Sequence, residues 1–167
     1  WIDQATTSYQ SMTGVTPPKI EPYVSTEYAG TQVLAFARPK DAGGKQEGPV
    51  VRCRVGLPEK FFVFYGGSLD GKLLAHETLA HEIFHCFEYP SFPKLAARHP
   101  SDAWILEGAA TWASIKLLGS ASGYQYPWKL ALEKSERPLF LRTYDALGFF
   151  FQLEKDVSPA TQVGKMI

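Results

Sequence analysis

An α+β fold in two lobes, strands first and helices second, is what this sequence predicts. Three observations carry that expectation. Short β-branched or aromatic runs bounded by turn residues fill the first part of the chain. Longer stretches with helix start and stop signals fill the second part, and strands followed by helices, without alternation, mark α+β architecture. Finally, 167 residues with 45% hydrophobic and 20% charged content suit one folded domain with its own core. The expected organisation is a single domain over residues 1–167. Residues 1–72 form mainly a sheet lobe, and residues 73–167 carry a central helix and a helical lobe.

Along the chain, "IDQATTSYQSM" reads as a short helix ending at Gly14, with Pro17 and Pro18 barring continuation. "KIEPYVST", "TQVLAFARP", "PVVRCRVGL" and "KFFVFYGG" read as four strands, and "KDAGGKQEG" as a flexible hairpin or surface connection. "GSLDG" closes the fourth strand and launches a helix from about Leu73 to Phe87, which Pro90 stops. After the Pro-rich loop "YPSFPKLAARHPSD", a second helix runs from Asp102 to a stop at Gly119, with Ser101 or Asp102 placed to cap it. "PWKLALEKSE" begins a helix at Pro127. "LFLRTYDALGFFFQLEKDV" is apolar nearly all round, the pattern of a buried helix. The helix containing residues 73–87 sits where the lobes meet, a common place for a cleft.

Charge bounds the partners. Lys plus Arg and Asp plus Glu each total 17, and neither sign forms a long block, which removes the electrostatic motive for nucleic acid or an anionic membrane. No apolar run approaches the length of a membrane span, and "WIDQATTSYQ" is not a signal peptide. Opening on Trp1, the chain reads as a mature or excised segment, expected to act outside the cytoplasm or to be secreted. Its two cysteines, Cys53 and Cys86, are too few for a disulfide-rich scaffold or a cysteine-based zinc cluster. Two buried free thiols are the simpler expectation. A disulfide joining the third strand to the central helix is the alternative, since both side chains should face the core.

The chemistry concentrates in "HETLAHEIFHCFEY". Residues four apart share a helix face, so His81 and His85 can aim both imidazoles at one ion. Glu82 is offset from His81 by about 100°, flanking that ion within reach of water, whereas Cys86 should point into the core. A catalytic zinc needs a third protein ligand. "AWILEGAATWAS" offers Glu107 on the next helix, followed by Gly108, Ala109 and Ala110, small enough for close helix approach.

His81-Glu82-Ile83-Phe84-His85 with "WILEGAATW" resembles the gluzincin metallopeptidases, particularly the branch related to aminopeptidase N, whose second helix reads W-L-N-E-G-x-A-T-Y. The likeness covers residues 61–118. It implies a zincin-like fold, one Zn²⁺ held by His81, His85 and Glu107, Glu82 as general base, and a peptide or protein substrate. The family's Asn before the ligand Glu is Leu106 here, the gap between the motifs is longer, and the G-x-M-E-N segment that grips a free amino terminus is absent. An endopeptidase-like role is therefore expected over an aminopeptidase. The family's oxyanion-stabilising tyrosine finds a counterpart in Tyr144 of "TYDALGFFFQL", against the plainer reading of a core tyrosine; Tyr124 and Tyr126 are weaker counterparts. His76 is expected on the solvent side of the helix and His99 in a loop. "KFFVFYGG" is first a core strand, with a substrate-pairing edge as its functional reading. Two rival readings stand beside the peptidase. One is a catalytically inert binding or structural module. The other is a deformylase-like enzyme using Cys53 as ligand.

Overall fold

Helix α3 (Leu69–Ser91) organises the computed structural model, which describes residues 1–28, 31, 33–40, 50–65, 69–91 and 102–157. Its residues at helical spacing are buried on two sides. Ala80, Ile83, Phe84 and Phe87 join one apolar cluster, while Cys86 and Tyr89 join a second against the sheet. Burial nearly all round is the signature of a central helix.

Three strands form that sheet: β1 (Lys19–Ser25), β2 (Phe36–Lys40) and β3 (Arg52–Pro58), in the order β1-β3-β2. β1 runs parallel and β2 antiparallel to β3. The segment joining β2 to β3, expected as a hairpin or loop, lies outside the described residues. Ala37, Cys53 and Val55 face α3, where the Tyr89 hydroxyl donates to the Ala37 carbonyl at 3.2 Å. A disulfide between Cys53 and Cys86 fastens β3 to α3. The expectation of two free thiols is thus corrected: both cysteines face the same sheet–helix seam and are completely buried there.

On the other side of α3, α1 (Ile2–Thr13) contributes Ala5 and Tyr9, and α4 (Ala103–Leu118) contributes Ala109, Ala110, Trp112 and Ala113. Both helices end where the sequence places their stops. Gly14 and Gly119 adopt left-handed φ of 71° and 63°, each returning its N–H to the carbonyl four residues back. Asp102 occupies the N-cap position of α4 without a side-chain cap hydrogen bond. α5 (Gln125–Glu133) and α6 (Leu147–Val157) complete the helical part. The architecture is α+β and mostly helical, and among the described residues no helix is long and apolar enough to cross a membrane.

Three expectations change. "KFFVFY" is helical, within α2 (Glu59–Tyr65), because β3 ends at Pro58 and Glu59 supplies the acidic first turn of a helix. Aromatic residues raise strand propensity, but Phe61 is buried while Phe62 and Val63 are both exposed, which is not the alternation of a strand. α3 runs through Pro90 to Ser91, although the proline has no N–H to return to the Cys86 carbonyl and so weakens the last turn. The apolar tract after Pro138 is also not one helix. Two 3₁₀ turns, Leu139–Leu141 and Tyr144–Ala146, precede α6. Buried Asp145 interrupts the tract, accepting from Arg142 at 3.1 Å and from the Thr143 N–H at 2.9 Å.

Candidate metal centre and cleft

α3 presents His81 and His85 one turn apart, both buried, and α4 brings Glu107 to them. His81 Nε2 lies 3.0 Å from Glu107 Oε2 and 3.1 Å from His85 Nε2, and His85 Nε2 lies 3.7 Å from the same oxygen. Ligands about 2.0–2.1 Å from a tetrahedral zinc stand about 3.3–3.4 Å from one another. The three observed separations straddle that value. Two imidazole nitrogens and one carboxylate oxygen form a donor set that could hold a zinc ion.

The far side of each imidazole is also built. His85 Nδ1 meets Glu88 Oε2 at 2.6 Å, and His81 Nδ1 meets the Thr111 hydroxyl at 3.5 Å, which donates to the Glu107 carbonyl at 2.7 Å. A carboxylate on Nδ1 of His85 orients the ring, and in the neutral imidazole it favours the tautomer whose Nε2 can donate a lone pair to a metal. Thr111 joins the two helices' ligands in one hydrogen-bonded chain. The sequence reading missed both supports. Their signals were Glu88 three residues beyond His85 and Thr111 four beyond Glu107, each on its ligand's helix face.

The carboxylates and imidazoles of the cluster pair with one another. Burial pushes the Glu107 carboxyl up, but hydrogen bonds with His81 and His85 outweigh it and hold the group well below the usual carboxylate range. Burial alone would push His85 down, yet Glu107 and Glu88 draw it well above its ordinary value. Burial raises Glu88 to about 7 despite its bond to His85.

A cleft of about 400 Å³ opens beside the triangle, lined on α3 by Thr78, His81 and Glu82 and opposite by residues 33–35. Glu82 therefore faces the cleft beside the candidate ligands, as the helix geometry predicts. Residues 33–35, just ahead of β2, take the place that the substrate-pairing alternative would have given to "KFFVFYGG". Tyr124 and Tyr144 close the remaining side, their rings centred 6.3 and 5.5 Å from that of His81. Tyr144 is 44% exposed, so the core-tyrosine alternative does not hold. Tyr124 is buried, which pushes its phenol well up, and its hydroxyl donates to the Glu77 carbonyl at 3.2 Å. Glu77 anchors the turn that carries Tyr124, its carboxylate accepting from Ser120 Oγ at 2.8 Å, Ser122 N at 2.9 Å and Gly123 N at 2.7 Å.

Neither Tyr126 nor His76 lines the cleft. Tyr126 is exposed on α5, and His76 stacks on Trp1 at 4.4 Å between centroids. His99 lies outside the described residues. Cys53 is held in the disulfide, so it offers no thiolate and the deformylase-like reading is overturned. Compared with models of known families, with curated proteins and with solved structures, the chain finds no match.

Proposed function

We propose that the protein is a zinc-dependent metallopeptidase of gluzincin type, with a zincin-like arrangement of sheet lobe, active-site helix and helical lobe. One observation carries the reading: three donor atoms from two helices, 3.0–3.7 Å apart, with Glu82 beside them on the cleft wall. His81, His85 and Glu107 would hold one Zn²⁺. When bound, such an ion supplies Lewis-acid polarisation of a carbonyl and a lowered pKa for water.

This chain's residues supply the rest. Glu82 takes the attacking water's proton and returns it to the leaving nitrogen. Tyr144 donates to the developing oxyanion, and the two tyrosines and residues 33–35 orient an extended peptide and exclude water from it. Among the described residues lining the cleft, Glu82 is the sole carboxylate, which leaves no second acid to pair with a substrate's free amino terminus. That favours endopeptidase over aminopeptidase activity on a peptide or protein substrate. A buried disulfide in turn supports an oxidising, extracytoplasmic setting.

Glu82→Gln tests the mechanism, because the amide keeps the shape but cannot accept a proton. Zinc stoichiometry should stay near one per chain, while cleavage of a diverse peptide library should fall by about 10²–10⁴. A parent protein that holds zinc yet cuts nothing would favour the inert binding module. A Glu82→Gln protein cutting as fast as the parent would remove the general base.

A further inference from the structure

Charges that the linear sequence scatters are gathered by the sheet. Its pairing aligns Lys19, Arg52 and Lys40 across the three strands, and two residues along it aligns Glu21, Arg54 and Arg38. The next rung is aromatic, Tyr23 and Phe36 flanking Gly56. Because Cys53 and Val55 on the alternate positions of β3 are buried, these rungs lie on the face turned away from α3. Five cations and one carboxylate thus share one side of a chain whose formal net charge is +0.

The arrangement carries a cost that folding does not explain. Like charges directly opposed across strands are destabilising, and the Lys19–Arg52–Lys40 rung opposes three of them. Glu21 answers Lys19 at 3.0 Å, and Glu27 answers Arg38 at 2.6 Å. Lys40, Arg52 and Arg54 form no ion pair among the described residues, and with Glu21 they line a groove of about 310 Å³. The Arg54 guanidinium is stacked 3.9 Å above the Tyr23 ring, which holds it in place before any ligand arrives.

We propose that this face docks an acidic polypeptide segment in extended conformation. Alternate side chains of an extended peptide repeat every 6.6–6.8 Å or so, the same interval that separates the two cationic rungs along the strands. Carboxylates at every second position therefore meet one rung after another. A short acidic segment suits the face better than a long polyanion, because the cationic rungs number only two and the neutral molecule offers no long-range steering field beyond them. The docking does not depend on the chemistry of the cleft, since the face lies across the sheet from α3.

The test is fluorescence anisotropy on the whole chain with a labelled peptide of about twelve residues alternating Glu and Ser. The same peptide with Lys for Glu, a heparin fragment and single-stranded DNA serve as rivals. The Glu-Ser peptide should bind, the Lys-Ser peptide should not, and K40E/R52E/R54E should weaken binding at least tenfold. Raising salt from about 0.01 to 0.15 M, which shortens the screening length from about 30 to 8 Å, should weaken binding too. If the triple variant fails to fold, K40Q/R52Q replaces it, and its melting temperature should match or exceed the parent's while binding falls. Equal binding by the variants overturns the proposal. So does tighter binding of heparin or DNA than of the acidic peptide.

Discussion

Glu88 illustrates how much of a metal centre lies behind its ligands. It is buried to 1% exposure, its Oε2 takes the Nδ1 side of His85 at 2.6 Å, and its Oε1 has no partner among the described residues. Burying a carboxylate is costly unless a cation answers it, and the imidazole it supports stands between it and the proposed zinc. Glu88→Gln should therefore lower zinc affinity by about 10–100-fold while the helix stays folded, read by competition against a chromophoric chelator. Unchanged affinity would make Glu88 a packing residue. Tyr144→Phe should slow turnover by about 10²–10³ at constant zinc content, whereas Tyr124→Phe, whose hydroxyl serves the Glu77 carbonyl, should act mainly on stability. Equal turnover for Tyr144→Phe and the parent would remove the oxyanion role. The shared face of His81 and His85 and the flanking place of Glu82 were legible in helix spacing, whereas Glu107 was suggested by its segment and joins them only through the packing of α4 on α3. Thr78 and residues 33–35 were not, and Tyr124 was offered only as a weaker counterpart, because they reach the cleft through tertiary packing that no local pattern encodes.

α4 shows the same division between local signal and packing. Its small residues were expected to admit close approach to α3, and Ala109, Ala110 and Ala113 do join the α3 cluster. Gly108 faces elsewhere. A Cβ added there would stand 2.6 Å from the Ala146 Cβ and 3.0 Å from Phe150, so this glycine admits the Tyr144–Ala146 turn and α6. Gly108→Ala gains about 1 kcal/mol of helix propensity but must displace a buried neighbour, a strain of about 1–3 kcal/mol. Urea unfolding should show net destabilisation, and turnover should fall as well because the displaced turn carries Tyr144. A more stable Gly108→Ala protein would show that the turn yields freely. Helix ends at Gly14 and Gly119 were readable because left-handed caps are written in single residues. The helical fate of residues 59–65 and the break at Asp145 were not, because aromatic and apolar content mimics strand and buried helix until burial is known.

The whole molecule rests on one helix held from both sides, and the covalent tie lies on the sheet side. The α+β class was legible in the order of signals along the chain, but the cationic sheet face was not. Arg38, Lys40, Arg52 and Arg54 become neighbours only through strand register. The disulfide was legible only as an alternative to free thiols, since two cysteines 33 residues apart leave the pairing open until β3 is laid on α3. Cross-linking across that separation removes unfolded-state freedom worth about 3–4 kcal/mol. Cys53→Ala/Cys86→Ala should therefore lower the melting temperature by roughly 10 °C, measured by calorimetry at fixed zinc. Zinc affinity is expected to fall much less, under about tenfold, although Cys86 adjoins His85, because Glu88 and Thr111 orient the imidazoles from the other side. If the melting temperature held while zinc affinity collapsed, the disulfide's role would be to position His85, not to restrain the unfolded chain.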